Sequence, residues 1–312
     1  MFNLHSPSQH ITNFLHNLKN RVDDWSAGNE YDNYDELRFY ALDVLNVILF
    51  GHDADKVRQI RKPFIMPDNT AKKLDINEYF IAQLKSYYDC YLLPVTKLAP
   101  FVNHYDLIDP FMRIKNNRET FKQVLREVIA MSTDKQSVLY KMLYVEKLDK
   151  EVVVEDLVAF FGAQSEPIPH AVTNAMYNLK KYPGVMRKLK AELEQHFAQF
   201  TDINDQYSKD NIMKLDYLNN VVKETIRIDP PAAESLRYKA FEDVKICGVQ
   251  IPKHSLLVID PIATNYSTEE WVEPFKFIPE RFDSSSKYFL KPNSDKMRSP
   301  YSYSSFSYGA RA

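Results

Sequence analysis

The feature that constrains the fold most is a long amphipathic stretch at residues 150–182. Its apolar side chains recur at the spacing of one helix face over about seven turns. They are Val154, Leu157, Val158, Phe161, Ile168, Val172, Ala175 and Leu179. Asp149 is a candidate N-cap, and Pro183 with Gly184 marks the end of the pattern. A helix of this length usually crosses the middle of a domain.

The same periodicity runs through most of the chain before residue 230. It predicts further helices at residues 11–25, 37–48, 79–93, 117–131, 185–199 and 213–228. After residue 238 the pattern changes. In "DVKICGVQIPKHSLLVID" apolar and polar residues alternate, with turn residues at Gly248 and at residues 252–254, as is typical of two or three short strands. Residues 283–305 have no period and are predicted to be coil. The predicted fold class is therefore mainly α with a small β part.

Composition excludes several classes of function. The 312 residues include 40 Lys and Arg against 42 Asp and Glu, so nothing in the net charge of −2 suggests a nucleic-acid partner or an anionic membrane surface. Two cysteines cannot make a disulfide framework or a zinc site by themselves, and a reducing compartment is expected. The sequence has neither a phosphate-binding glycine motif nor HExxH.

Charged residues at helical spacing provide the first candidate site. Glu224 and Arg227 in "KETIR" stand at i and i+3, so one helix face can hold a carboxylate beside a guanidinium. A solvated surface pair is the ordinary interpretation of this spacing, and Glu234 with Arg237 repeats it after two prolines. The segment "PERF" offers Arg281 as a third partner, although the adjacent acid and base there would also fit a solvated loop. A buried carboxylate between two arginines would satisfy its lone pairs through charge-assisted hydrogen bonds.

The order of these pieces resembles the cytochrome P-450 superfamily. An ExxR helix, two prolines, an arginine, a short β unit, "WVEPFKFIPERF" and a final F-x-x-G-x-R follow one another, and the match covers residues 150–312 well. The resemblance implies a single partial domain over residues 1–312, with a helical body (1–230), a β unit and PERF segment (238–282) and a meandering coil (283–312). Compared with the family, the N-terminal region and the C-terminal helix and strands after the haem loop are expected to be missing.

The resemblance also implies a haem cofactor. Phe306, Gly309 and Arg311 match the family pattern F-x-x-G-x-R-x-C-x-G, whose cysteine thiolate binds the haem iron. The cysteine is expected immediately after Ala312, so this chain would have no metal ligand and would not bind haem normally. In the family, residues matching Arg237 and Arg311 meet the haem propionates, and the one matching Phe306 shields the thiolate.

Two further roles follow from the resemblance. Glu224, Arg227 and Arg281 would form the network that locks the ExxR helix to the coil beneath the haem. Neither cysteine would replace the missing ligand, because Cys90 is predicted to lie in an amphipathic helix and Cys247 in a strand, both as small core residues.

The long helix departs from the family at its centre. The family's acid and alcohol, which deliver protons during oxygen activation, align with Glu166 and Pro167, so the acid is kept and the hydroxyl is lost. Pro167 and Pro169 would remove the amide donors to Ala163 and Ser165 and kink the helix. The alternative is a simple break between two helices, with Glu166 a solvated turn residue.

The resemblance implies a haem-thiolate monooxygenase that inserts one atom of dioxygen into a lipophilic substrate, with electrons from an NADPH-dependent reductase. One alternative is a haem-thiolate enzyme that uses a peroxide as oxidant or isomerises a peroxide substrate, because the helix hydroxyl is absent. Another is a truncated, non-catalytic helical protein. Full-length eukaryotic members of the family are held on the endoplasmic reticulum by an N-terminal anchor, which a chain starting at Met1 here would lack.

Overall fold

The computed structural model describes residues 33–91, 109–201, 209–231, 238–303 and 305. The chain divides into two compact units, Met1–Pro169 and His170–Ala312. That the units make up one domain stays a prediction. The helix expected at residues 11–25 lies outside the described residues. The mainly helical fold with a small β part is confirmed.

The described part of the first unit contains helices and a β-hairpin. Its helices are α1 (Asn33–Phe50), α2 (Ala54–Gln59), α3 (Ile76–Tyr91), α4 (Asp109–Met131), α5 (Val138–Tyr140) and α6 (Lys150–Ser165). A π-helical turn, Lys141–Val145, follows α5 directly. Strands β1 (Lys62–Ile65) and β2 (Ala71–Leu74) pair antiparallel. This hairpin was not predicted, because β1 contains Pro63 and the exposed, mostly polar β2 shows no apolar alternation.

Four buried rings join three helices in the core of the first unit. Tyr79 and Phe80 of α3 meet Phe121 of α4, with ring centroids 5.9 and 5.5 Å from it. Phe161 of α6 lies 5.4 Å from Phe80 and 5.5 Å from Phe121. The Tyr79–Phe121 pair is stacked and the other three pairs are tilted or edge-to-face, and such contacts add to the burial energy of the rings. The apolar stripe that begins the long helix is therefore the core face of this unit.

A buried carboxylate ties the ends of α1 and α4 together. Asp53 accepts hydrogen bonds from the backbone N–H of Thr133 at 2.7 Å and of Asp134 at 3.1 Å, and Lys56 Nζ lies 2.9 Å away. Burial disfavours the charged carboxylate, but these donors outweigh it and lower the pKa of Asp53 to about 2. Gly51, two residues earlier, has φ +59°, and a Cβ there would overlap the carboxylate of Asp134.

The long helix is divided at Glu166. Asp149 caps α6 as expected, accepting from the backbone N–H of Glu151 and Val152. Helix α6 ends at Ser165, and α7 (Pro167–Lys181) begins after the single intervening residue Glu166. Proline suits the first position of a helix, where its missing N–H has no partner to lose. The prolines thus start a second helix, and the prediction of one continuous helix over residues 150–182 is wrong.

Within the described residues, the second unit contains the remaining helices, one β-hairpin and one further antiparallel pair of strands. Its helices are α8 (Pro183–Phe197), α9 (Lys209–Ile212), α10 (Asp216–Ile228) and α11 (Pro261–Asn265). Strand β3 (Tyr238–Lys239) pairs with β6 (Leu256–Leu257), and β4 (Val244–Ile246) pairs with β5 (Val249–Ile251). Single 3₁₀ turns form at Pro279–Phe282 and Pro300–Ser302. Pro183 begins α8 as well as marking the end of the preceding pattern.

The position predicted for Cys247 is wrong. It occupies the two-residue turn between β4 and β5 with φ +49°, beside Gly248 at φ +85°, and its side chain is exposed. Positive φ at both central residues is what a tight hairpin of this twist requires. Cys247 is therefore a turn residue and not a core filler. Cys90 lies within α3, in agreement with its predicted helix.

Within the described ranges, no helix is both long and apolar enough to span a membrane.

Candidate functional site

The centre of the candidate site is the carboxylate of Glu224, whose side chain is fully buried with those of Arg227 and Arg281. Glu224 Oε2 accepts from Arg227 Nε at 2.8 Å. Glu224 Oε1 accepts from Arg227 Nη2 at 2.9 Å, from Arg281 Nε at 3.0 Å and from the backbone N–H of Ile278 at 2.9 Å. The structure thus brings together the three residues that the sequence analysis grouped. We call Glu224, Arg227 and Arg281 the Glu224 network.

The position of Glu224 depends on how α10 begins. Leu215, at the N-cap of this helix, has no side chain that could accept a hydrogen bond from the first turn. Glu192 of α8 takes that role, accepting from the backbone N–H of Tyr217 at 2.7 Å and of Leu218 at 2.9 Å. A carboxylate is favourable at a helix N-terminus because it compensates both the unpaired N–H groups and the helix dipole. The sequence analysis missed Glu192, since no local pattern marks a cap that comes from another helix.

The outer nitrogens of Arg227 hold the loop that follows α11. Arg227 Nη1 donates to the carbonyl of Asn265 at 2.6 Å, and Nη2 donates to that of Pro274 at 2.9 Å. Asn265 returns a hydrogen bond from Nδ2 to the Arg227 carbonyl at 3.0 Å. The guanidinium carbon also lies 5.1 Å from the ring centroid of the buried Trp271. The network therefore fixes backbone that is distant in sequence.

Arg281 holds the same loop from the 3₁₀ turn of "PERF". Its Nη1 donates to the carbonyl of Val272, and its Nη2 donates to that of Glu273 at 2.6 Å. Burial lowers the pKa of Arg281, and the nearby Arg227 adds to this effect while Glu224 opposes it. The alternative of a solvated loop pair is wrong, because the side chain of Arg281 is fully buried.

The acid next to Arg281 has separate partners. Glu280 Oε1 lies 2.5 Å from Lys188 Nζ and accepts from the hydroxyl of Tyr217 at 3.2 Å. Burial, together with the negative charge of Glu280, raises the pKa of Tyr217 well above its ordinary value. The two neighbouring charged residues of "PERF" thus serve different contacts.

Glu166 makes specific contacts at the break between α6 and α7. Its Oε2 accepts from the hydroxyl of Tyr34 at 2.7 Å, and its Oε1 lies 2.6 Å from Arg38 Nη2. Burial and the hydrogen bond to Glu166 raise the pKa of Tyr34 to about 12. The expectation of a solvated turn residue is wrong, although the simple break between two helices is present. The structure places Pro167 at the first position of α7.

Another group of residues was expected to contact the haem or to shield its ligand. Arg237, Phe306, Gly309 and Arg311 are outside the described residues, so their roles stay predictions. Where the structure describes the chain, no three His, Cys, Asp or Glu side chains are grouped closely enough to hold a metal. Cys247 does not fit a haem ligand, because it is exposed on a hairpin turn. A role of the Glu224 network in supporting a haem therefore stays a prediction.

Comparison with known proteins leads to the same family as the sequence motifs. The cytochrome P450 family model matches residues 8–312. Curated relatives include cytochrome P450 3A40 of Oryzias latipes, 28% identical over 97% of this chain and 58% of its own length. Another is cytochrome P450 3A9 of Rattus norvegicus, 28% identical over 87% of this chain and 52% of its own. The chain spans about half the length of these relatives.

Solved structures show the same fold. The retinoic acid-bound cyanobacterial CYP120A1 superposes with a TM-score of 0.69 at 15% identity, covering 97% of this chain and 62% of that one. At this identity the likeness concerns the fold alone. The family model, by contrast, matches nearly the whole sequence. The resemblance drawn from the motifs is thus confirmed, and the chain belongs to the cytochrome P450 family.

Proposed function

We propose that this chain is part of a haem-thiolate monooxygenase that inserts one atom of dioxygen into a lipophilic substrate, with electrons from an NADPH-dependent reductase. The observation that carries the proposal is the buried Glu224 network, because it occurs in a chain whose sequence matches the family model over residues 8–312. When bound, the haem would supply the oxygen chemistry. The chain would supply its support and the substrate pocket.

The contacts of Glu224 favour a structural role over a chemical one. Its two oxygens accept four hydrogen bonds from N–H groups at 2.8–3.0 Å, and the side chain has no exposed surface. Oε1 accepts three of these bonds and Oε2 one, and the fully buried carboxylate has no path for exchanging a proton with solvent. Its contribution is to hold the coil after α11 and the "PERF" turn in one arrangement against α10.

We infer that Glu166 could contribute to proton delivery only after rearrangement. Its two oxygens are occupied by the Tyr34 hydroxyl and the Arg38 guanidinium. The next residue, Pro167, has neither a hydroxyl nor an N–H with which to relay a proton. This pair of observations favours a second candidate, a haem enzyme that uses or isomerises a peroxide and does not depend on reductase-driven oxygen activation.

The two candidates are separated by turnover of the haem-loaded protein expressed from its native transcript. With reductase, NADPH and dioxygen, the monooxygenase proposal expects oxygenated product from a panel of lipophilic compounds. The peroxide candidate expects product or rearranged peroxide when a peroxide is supplied without reductase. It expects no product from reductase, NADPH and dioxygen when no peroxide is added. A protein that retains no haem after reconstitution would contradict both candidates and would favour a non-catalytic helical protein.

A further inference from the structure

Arg298 is a half-buried arginine outside every motif that the sequence analysis used. Its Nη2 donates to the carbonyl of Arg281 at 2.7 Å. Its Nη1 donates to the carbonyl of Tyr288 at 3.0 Å and to that of Phe289. One guanidinium thus joins the backbone of the Glu224 network to a later part of the chain.

A shared aromatic ring strengthens this connection. The guanidinium carbon of Arg298 lies 4.4 Å from the ring centroid of Trp271, and that of Arg227 lies 5.1 Å from it. Trp271 is 1% exposed, and its indole N–H donates to the carbonyl of Thr264 at 3.1 Å. A planar guanidinium can donate to several carbonyls and stack on an aromatic face at the same time, which an ammonium group does less well.

A second anchor holds the same part of the chain. Glu270 Oε1 lies 2.5 Å from Lys291 Nζ, and Glu270 Oε2 accepts from the backbone N–H of Ser299 at 2.8 Å. Leu290, next to Lys291, and Met297, two residues before Ser299, form an antiparallel bridge. The loop from residue 288 to 303 is therefore closed by a bridge between its own residues and held by side-chain contacts on both sides of that bridge. We call residues 288–303 the pinned loop.

The surroundings of Arg298 disfavour the charged form of its guanidinium. Burial, and then the like charge of Arg281, lower the pKa of Arg298 to about 10. Glu224 already has two arginines, and no ion pair with Arg298 compensates within the described part of the chain. The carbonyl hydrogen bonds and the contact with Trp271 must therefore outweigh the unfavourable charge.

We propose that Arg298 is a positioning residue that fixes the pinned loop on the Glu224 network, so that the chain leaves residue 303 from one defined point. The haem-loop positions Phe306, Gly309 and Arg311 follow directly in sequence. For the haem itself, the proposal rests on the function proposed above. The local fixing of the loop does not depend on it.

The first test measures amide hydrogen exchange in the haem-free protein. We expect Arg298→Met to raise exchange in the pinned loop by about tenfold or more, while exchange in α10 stays at the parent level. Arg298→Lys should lie between the two, because it restores one donor and the charge. Lys296→Met is the matched control, since Lys296 is an exposed cation in the same loop and its loss should change nothing.

Unchanged exchange in the pinned loop of Arg298→Met would overturn the proposal. So would an equal rise in the loop and in α10, since that would make Arg298 a general stabilising residue. A second readout is the reduced carbon monoxide spectrum of the haem-loaded protein expressed from its native transcript, in which Arg298→Met should show a smaller thiolate-type fraction than the parent and Arg298→Lys a partial recovery. If the parent shows no thiolate-type spectrum, the proposed function fails, and the exchange result still decides the role of Arg298.

Discussion

Replacing Glu224 by glutamine tests the energetic role of the buried network. The substitution keeps the shape of the side chain and removes its charge. If the amide oxygen takes the place of Oε1, the amide nitrogen faces Arg227 Nε, which now lies 2.8 Å from Oε2. Two donors would then oppose each other, and both arginines would lose the only carboxylate that contacts them within the described residues.

The expected magnitude is large. Removing one partner of a buried ion pair costs about 3–5 kcal/mol, because the remaining charge stays buried without compensation. The free energy of unfolding of a typical domain is only about 5–15 kcal/mol. The lowered pKa of Arg281 points the same way, since it shows that burial already disfavours the guanidinium charge with the carboxylate in place. We therefore expect Glu224→Gln to lose about a fifth or more of the free energy of unfolding.

The assay is urea unfolding of the haem-free protein, followed by tryptophan fluorescence in a Trp25→Phe background. Trp271 then reports alone, and it lies 5.1 Å from the Arg227 guanidinium. The matched control is Glu194→Gln, because Glu194 pairs with Lys190 at 3.6 Å on the exposed face of α8. The control should unfold as the parent does.

An unfolding midpoint for Glu224→Gln that equals those of the parent and the control would refute the reasoning. It would mean that the network is hydrated in solution and that its charges are screened.

Three other substitutions test separate parts of the structure. The pKa of Asp53 is about 2, below its unfolded value of about 3.9, so its stabilisation is present above that value and is lost as the pH falls toward 2. Asp53→Asn should thus lower the unfolding free energy at pH 7 by about 2 kcal/mol and flatten its decline in acid, as measured by urea unfolding at several pH values. Gly51→Ala should lower the unfolding free energy by more than ~1 kcal/mol and more than Gly248→Ala does, because both have positive φ but only the first would overlap Asp134. In the haem-loaded protein, Pro167→Thr should raise the fraction of electrons that reach product over released hydrogen peroxide, whereas Pro167→Ala should not; equal behaviour would show that the hydroxyl is irrelevant.

Local sequence patterns were sufficient for part of the candidate site. The spacing of Glu224 and Arg227 is a property of one helix, so it can be read without knowing the fold. Asp149 was found in the same way, because a cap acts on the turn that follows it. Arg281 is 57 residues from Glu224, and only the order of the motifs connected the two.

The remaining contacts depend on packing between distant segments. Glu192 caps α10 from 25 residues away, and Arg298 reaches the carbonyl of Arg281 from 17 residues away. No spacing rule marks such pairs. The break at Glu166 was visible in the sequence, but its contacts with Tyr34 and Arg38, more than 120 residues earlier, were not. Cys247 was misplaced because an apolar residue between two apolar strands resembles a strand position until the turn is known.

The most direct test of the central claim is the reduced carbon monoxide spectrum of the protein expressed from its native transcript and reconstituted with haem. The account predicts a thiolate-type Soret band in the parent and its loss, with loss of bound haem, in Glu224→Gln. A spectrum of unligated or histidine-ligated haem in the parent, or a haem-loaded and thiolate-type Glu224→Gln variant, would contradict it.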